Sequence, residues 1–364
     1  MKAIVIGAGV IGMMQARELA QQGLDVILVD KGACGAEASW AGGGIISPLY
    51  PWRYTEPVTA LASWSQAYYP NLIQTLEAES DIDSELTRHG LLMLNVEDKE
   101  AALTWSKSAE PWLEPIDREA IYQLESGLRT GFDDALWMPQ VGSIRNPRLL
   151  RALRTMLERE QAVEIREESA IVGFNTAGAR ITGVKTIRGD VLEGDVVLVC
   201  SGAWSQDLAG GDAIDIRPVK GQMIRFAARP GIVSRIVLNN GQYVIPRRDG
   251  SVIAGSTLEY TGFDKQTTEH AKNALADMAI DLFPDLASCP ISDHWSGLRP
   301  ASPTGVPYVG LLPEYDNVYI NAGHFRNGLV LAPASVHLLT AIICKQTLPL
   351  DPEPYQPQPL SVHL

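Results

Sequence analysis

Residues 3–12 read AIVIGAGVIG, and the reading of this stretch decides the fold. Ala3 to Ile6 form a short apolar run, and Gly7, Gly9 and Gly12 follow at the spacing GxGxxG. The first glycine permits a tight turn out of a buried strand, the second lets a pyrophosphate meet bare backbone, and the third lets a helix lie close on the strand. Residues 13–21 supply that helix, with Met13, Met14, Ala16, Leu19 and Ala20 available for its inner face. A second apolar run over 25–29 ends in Asp30, where a carboxylate for ribose hydroxyls is expected. The helix N-terminus offers unpaired N–H groups and the positive end of its dipole to phosphate. The pattern predicts an adenine dinucleotide site and leaves FAD and NAD both open.

The bulk properties narrow the class. A chain of 364 residues, 46% hydrophobic and 20% charged, is long enough for two intertwined domains with their own cores. A net charge of -13 argues against nucleic acid as the main partner. Cys34, Cys200, Cys289 and Cys344 are far apart and form no CxxC pair, so they read as reduced thiols, with neither a disulfide frame nor a metal site expected. Lys2 and the apolar run after it mimic a signal peptide, but that run is the nucleotide-binding strand and turn. Residues 329–344 are apolar yet contain Pro333 and His337 and fall short of the roughly 20 residues that span a bilayer. A buried helix is expected there, in a soluble, cytoplasmic protein with no membrane partner.

Further along, KGACGAEASWAGGGIISP (31–48) is dense in small residues, Ala38, Ser39, Gly43 and Gly44 among them, which let backbone pass close to a bulky planar ligand. Trp40, Ile45 and Ile46 make it too apolar for a linker. Residues 57–79 read as a helix that Pro70 kinks or divides. Residues 90–95 predict a strand, and 110–140 give no clear assignment. Asn146-Pro147 reads as an N-cap and first turn of a helix to about Glu160. Strands are expected at 163–166, 180–186 and 191–200, the last running into Ser201-Gly202-Ala203-Trp204, where open α/β sheets present backbone to ligands. From 217 the style changes: 220–227, 235–245 and 251–256 alternate like strands of an antiparallel sheet, and a helix follows over 267–282. Residues 294–331 return to short glycine-rich strand and loop pieces, and the tail PEPYQPQP reads as extended. The resulting expectation is an α/β fold (α+β overall), with a Rossmann-like nucleotide domain from 1–50, 141–216 and 291–364. A substrate domain with an antiparallel sheet, from 51–140 and 217–290, is inserted into it.

With these pieces assembled, the chain resembles the D-amino-acid-oxidase superfamily of FAD enzymes, most closely its glycine-oxidising branch. The resemblance rests on IVIGAGVIG with Asp30, SWAGGGIISPLYPWRY, VVLVCSGAW, GQYVIPRRDGSVIAGSTLE, SGLRPASPTGVPYVG and INAGHFRNGLVLAP, which together cover nearly the whole length. It decides for FAD over NAD. It implies that the flavin ring lies against residues 43–45 and against the loop of His324, Phe325, Arg326, Asn327, Gly328, Leu329 and Val330. The adenosine end would use Ile11, Gly12, Asp30, Lys31 and the backbone of Ile171, with Ser39 near the phosphates. No cysteine stands near Leu298, where some members attach FAD, so the cofactor is expected to be noncovalent.

The implied chemistry is oxidation of a small amino acid, glycine first and sarcosine or small D-amino acids after it, to the 2-oxo acid, ammonia and hydrogen peroxide. The pathway implied is thiamine thiazole biosynthesis. Arg299 in GLRP is the expected carboxylate anchor, because a guanidinium fork matches a carboxylate bidentately. Tyr243 is the expected second donor, and Arg326 stands near the substrate or holds its own loop by a salt bridge. His324 is read as a flavin or loop contact and not as a general base, since hydride transfer from a neutral amine needs none; the same caution covers His294. Two positions depart from the branch's pattern, Gly241 in place of a histidine and Leu258 in place of a methionine, both expected near the pocket. The same fold also serves D-amino-acid dehydrogenases that reduce quinones and tRNA-modifying FAD oxidase domains. Molecular oxygen as acceptor and a tetramer are what the resemblance implies.

Overall fold

The computed structural model describes residues 1–108, 113–210 and 213–358. The first apolar run forms the strand Lys2–Ile6, third from one edge and fourth from the other of a six-stranded sheet. In spatial order the sheet runs Tyr308–Leu311, Val318–Ala322, Val196–Val199, Lys2–Ile6, Asp25–Val29 and Val163–Arg166. Every pairing is parallel except that of the first two strands, which is antiparallel. The central strands are apolar throughout because both of their faces are covered. Ala3, Val5, Val26, Leu28, Val196 and Leu198 face a helical layer, while Ile4, Ile6, Ile27, Val29, Val197 and Val199 face Ile181, Val184 and Leu192 of a three-stranded antiparallel sheet. That layer contains Val10–Gln21, Glu56–Ser80, Asn146–Arg159 and Gly328–Cys344.

The turn between the first strand and its helix is built as the glycines require. Gly7 has φ +104°, and its N–H donates to the Val29 carbonyl at 2.7 Å. A Cβ on Gly12 would stand 1.7 Å from the Gly7 oxygen, so helix and turn touch through backbone alone. A Cβ on Gly7 would in turn meet the Cys200 carbonyl at 2.5 Å. The carboxyl ends of Lys2–Ile6 and Val196–Val199 therefore lie side by side, where the chain connections diverge and a crevice opens.

An eight-stranded mixed sheet forms the second half. Its order is Ile291–Ala301, Arg217–Phe226, Val252–Gly255, Gln242–Pro246, Ile236–Asn239, Leu91–Leu94, Asp134–Met138 and Glu114–Asp117. The helix Glu269–Leu282 packs on one of its faces.

The structure corrects several expectations. Glu56–Ser80 is one helix with Pro70 inside it; Pro70 is on the solvent side, where the carbonyl it leaves unbonded can take water. This helix packs in the nucleotide-side core, not with the inserted sheet. Residues 191–200 are two strands in different sheets, Val191–Glu193 and Val196–Val199. Residues 235–245 are a hairpin, Ile236–Asn239 and Gln242–Pro246, because Asn240-Gly241 makes a two-residue turn with φ of 49° and 78°. Ile291–Ala301 is a long strand of the eight-stranded sheet, although the sequence put 291–364 with the nucleotide domain. Asn146 is already helical and its side chain serves elsewhere, with Arg145 in the capping position. Residues 113–140 contain Glu114–Asp117, Arg118–Leu124 and Asp134–Met138. In the tail, Glu353–Tyr355 makes a helical turn, and the buried Tyr355 hydroxyl donates to the Pro57 carbonyl at 2.8 Å; Pro359 lies outside the described residues. The apolar helix is buried as expected: the span Phe325–Cys344 is long and apolar enough to cross a membrane, but 67% of its apolar window is buried inside the fold.

The contact between Gly12 and Gly7 is directly testable. Gly12→Ala should cost about 3 kcal/mol in urea unfolding, because rigid backbone has no way to yield to the new methyl. Gly173→Ala, with nothing within 4 Å of the added carbon, should change stability by less than about 0.5 kcal/mol.

Candidate functional site

A cavity of about 590 Å³ runs from the crevice at the end of the first strand to the face of the eight-stranded sheet. Gly7, Gly9, Ile11, Asp30, Lys31, Ala38, Ser39, Ile171 and Gly202 line its nucleotide side. Gly43, Gly44, Ile45 and the segment 324–330 line the middle, and Tyr243 and Arg299 close the far end. Of the residues expected to bind the cofactor or the carboxylate, Gly12 alone is absent from the lining; it packs behind the turn.

At the nucleotide side, Asp30 is held by two backbone donors, Ala8 N–H to Oδ2 at 2.7 Å and Gly32 N–H to Oδ1 at 2.9 Å. Burial raises its pKa against the opposing pull of these bonds, and each oxygen keeps a lone pair for a hydroxyl. The Ser39 hydroxyl accepts the Val10 N–H at 2.9 Å and so caps the glycine-turn helix. Lys31 Nζ lies 3.1 Å from the centroid of Trp204, which stacks on Phe263 at 5.5 Å. The cradle fits a dinucleotide. A Cβ on Gly9 would stand 3.0 Å from the Ser39 hydroxyl. The lining residues Asn146 and Asn321 also have buried side-chain oxygens with no hydrogen-bond partner, which suits a ligand bringing donors of its own.

At the far end, Arg299 reaches across from its long strand. Its Nη1 donates to the carbonyls of Lys220 (3.3 Å) and Thr257 (3.1 Å), and its Nη2 to the Ser256 hydroxyl (2.7 Å). A Cβ on Gly221, on the neighbouring strand, would be 2.2 Å from Nη2, so that glycine makes the room. Among the described residues no carboxylate pairs with Arg299, and burial lowers its pKa. A cation this enclosed without a counter-ion is costly unless an anion arrives. Tyr243 is buried beside it, and its hydroxyl, which interacts with the Arg299 guanidinium, donates to the Met223 sulfur at 3.8 Å. Arg326 is exposed on the turn Phe325–Asn327, and the salt bridge that would hold its loop is not formed among the described residues.

His324 is 2% exposed, shares a 3.1 Å hydrogen bond with the Ser335 hydroxyl, and has its pKa pushed down to about 3 by burial. It is a neutral support of the loop at physiological pH. His294 bonds Gln222 Oε1 at 3.0 Å and does not line the cavity. Gly241 and Leu258, expected near the pocket, do not line it either: the Gly241 N–H donates to the Tyr50 hydroxyl at 3.1 Å, and Leu258 is exposed. Cys200 lines the cavity, but burial drives its thiol up to about 12, which leaves it inert. Residues not singled out from the sequence matter too. Asn146 ties its Nδ2 to the Ser39 carbonyl at 2.7 Å. Arg247, buried, binds the Gly43 carbonyl at 2.9 Å; its place two and four residues after the apolar Ile245 and Tyr243 was the available signal.

Residues 2–342 match the family model described as FAD dependent oxidoreductase. The chain belongs to that family. Its cofactor is FAD. Among relatives, it is 47% identical to a glycine oxidase of Pseudomonas aeruginosa over 98% of both chains. It is 29% identical to a bifunctional protein ThiO/ThiG of Trichormus variabilis, over 94% of this chain and 52% of that one. The crystal structure of glycine oxidase from Geobacillus kaustophilus superimposes with a TM-score of 0.90 at 26% identity, covering 100% of this chain and 98% of that one. This FAD-dependent oxidoreductase thus has the D-amino-acid-oxidase type of fold expected from its motifs.

The buried histidines predict an acid limb of stability. The folded pKa of His324, about 3, lies below the ordinary value of 6.5, so protonation favours the unfolded chain. His89, lowered by burial to about 4, acts in the same direction. Their contribution is complete above pH 6.5 and falls by about 1.4 kcal/mol per unit for each histidine as pH drops. Unfolding free energies measured at pH 7.5 and 5.0 should differ by about 2 kcal/mol less in His324→Gln than in the wild type.

Proposed function

We propose that this enzyme oxidises glycine with molecular oxygen and water to glyoxylate, ammonia and hydrogen peroxide. The observation that carries the reading is the half-buried Arg299, without a carboxylate partner among the described residues, at the opposite end of the cavity from the glycine turn. A guanidinium so placed takes a carboxylate as a bidentate partner, which fixes the α-carbon as well as binding it. Tyr243 donates its hydroxyl to the same carboxylate, exchanging a weak sulfur acceptor for a charged one. Arg326 adds positive charge at the mouth.

The chemistry that FAD supplies here is acceptance of a hydride from the α-carbon and its onward delivery to dioxygen. The chain's own work is to orient, to neutralise the carboxylate and to exclude water. No side-chain base is required: His324 is neutral and engaged with Ser335. The amine therefore loses its proton to solvent before reaction, and the imino acid released hydrolyses in solution. The backbone of Gly7, Gly9 and Ile11 would hold the phosphates, Asp30 the ribose, and Gly43 to Ile45 with residues 324–330 the flavin, all without a covalent bond. Sarcosine and small D-amino acids would be secondary substrates, since one methylene changes binding by only about 1–3 kcal/mol. We place the activity in thiamine thiazole biosynthesis, in the cytoplasm and in a homotetramer; the ThiO/ThiG relative supports the first of these. The inserted sheet is read as the substrate domain and the six-stranded sheet with its helices as the FAD domain.

Glycine added to the oxidised protein without oxygen should bleach the flavin absorption band, and peroxide should form once air is admitted. A spectrum unmoved by glycine but bleached by D-proline would overturn the substrate, and electrons reaching a quinone-like dye but not oxygen would overturn the acceptor. Arg299→Ala should raise KM for glycine by two to three orders of magnitude, matching about 3–4 kcal/mol for a lost charge pair. Tyr243→Phe should raise it about tenfold. An unchanged KM in Arg299→Ala would remove that residue from the site.

A further inference from the structure

Arg247 is a buried cation that neither the glycine turn nor the carboxylate clamp uses. It is 6% exposed, and its Nη atoms donate to the Gly43 carbonyl (2.9 Å), the Ile144 carbonyl (3.1 Å) and the Ser143 hydroxyl (3.4 Å). Its Nε has no partner, and no carboxylate pairs with it among the described residues. Burial lowers its pKa to about 10, which leaves it charged at neutral pH. An arginine spent on carbonyl oxygens, at the cost of desolvating a full charge, is fixing backbone.

The backbone it fixes lines the cofactor cavity. Tyr243, Ile245 and Arg247 alternate along one face of a strand and its end, and all three meet Gly43. A Cβ there would stand 2.8 Å from Ile245 Cδ1 and 3.1 Å from Tyr243 Cε2. In a trans peptide the carbonyl and the next N–H point in opposite directions. With the Gly43 oxygen turned to Arg247, the Gly44 N–H is turned away from it, toward the cavity that Gly44 lines. Gly44 is buried, its own carbonyl accepts the Ile144 N–H at 2.9 Å, and its N–H has no acceptor among the described residues. Buried orphan N–H groups are rare in native folds and call for a ligand acceptor. Gly44 has φ +81°, and a Cβ on it would lie 2.0 Å from the Ile144 oxygen, so both rails of the arrangement are set.

We propose that Arg247 is a positioning residue for the flavin: it locks and polarises the Gly43–Gly44 peptide so that the Gly44 N–H is offered to an acceptor atom of the bound ring. The inference rests on FAD occupying this cavity and not on glycine being the substrate. Loss of a polarised donor weakens ring binding and makes the electron-rich reduced ring harder to form. The clamp at Arg299 is untouched, so substrate binding is spared.

The test compares Arg247→Met, Arg247→Gln and Arg247→Lys with the wild type. FAD affinity is read by flavin fluorescence quenching on reconstitution of stripped protein, alongside the visible spectrum and reduction potential of the holoenzyme. Arg247→Met should weaken FAD binding at least tenfold, shift the flavin band and lower the potential. Its kcat should fall ten- to a hundredfold while KM for glycine stays within threefold. Arg247→Lys should recover part of each loss, and Arg247→Gln should fall between Lys and Met. Should the Met variant not fold, the Gln variant carries the same readouts. FAD affinity, spectrum and kcat within twofold of wild type, with only the melting temperature lowered, would overturn the proposal. If glycine does not reduce the wild type at all, the substrate assignment fails while affinity and spectrum still judge Arg247.

Discussion

The oxygen of Gly7 occupies the place where any side chain at position 12 would have to go. That contact sets how closely the first helix lies on the first strand, and the rest follows from it. Gly7 is itself pressed against the Cys200 carbonyl, so the two central strands end at the same level. Their ends form the floor of the cavity, with Ser39 drawn in to cap the helix and Asp30 anchored by Ala8 and Gly32. Three bare backbone surfaces are thus brought together before any functional side chain is considered. Phosphate needs such a surface, because a side chain at Gly9 would fill the space a ligand takes.

Two guanidinium groups, Arg247 buried and Arg299 half-buried, then divide the electrostatic work. Arg299 and Arg247 both lack carboxylate partners among the described residues, and burial opposes the charge on both. They differ in what surrounds them. Arg299 lines the cavity and its acceptors are a hydroxyl and two carbonyls that a carboxylate can outcompete. Arg247 stands outside the cavity and its acceptors are the backbone of the cavity wall. The first is poised for an anion that comes and goes, and the second for a geometry that does not change.

Legibility in the sequence followed the range of the forces. The glycine turn, Asp30 and the buried strands were readable because each is a local pattern with one physical cause. Arg299, Tyr243 and Arg326 were reached only through a family's motifs: nothing local to GLRP says that Gly221, on another strand, clears room for its arginine. The helix through Pro70 runs undivided because its packing against Asn146–Arg159 and Gly328–Cys344 outweighs one missing hydrogen bond. The strand break at 194–195 is hidden because an apolar run does not say which sheet each half joins, whereas the break at 240–241 is legible in Asn240-Gly241, a two-residue hairpin turn within one sheet. Arg247 continues the alternation of Tyr243 and Ile245, but an arginine after a strand reads as exposed, and the fold is needed to close its neighbourhood.

The inserted sheet does more than carry a pocket. The strand Gln242–Pro246 presents Tyr243 to the substrate end and, through Ile245 and the following Arg247, grips the glycine loop that lines the middle of the cavity. The strand Ile291–Ala301 carries Arg299 and pairs with Arg217–Phe226, which supplies both Gly221 and Met223. Arg299 also bonds Ser256 and Thr257, just beyond the strand Val252–Gly255 that joins the other two. The proposed substrate clamp and the grip on the glycine loop are therefore both carried by strands of one sheet. A slip of register in any of these strands would turn Tyr243 or Arg299 to the opposite face. On the proposed function, strand pairing would set the distance from cofactor to substrate on which hydride transfer depends, with a stiffness that a flexible loop would not give.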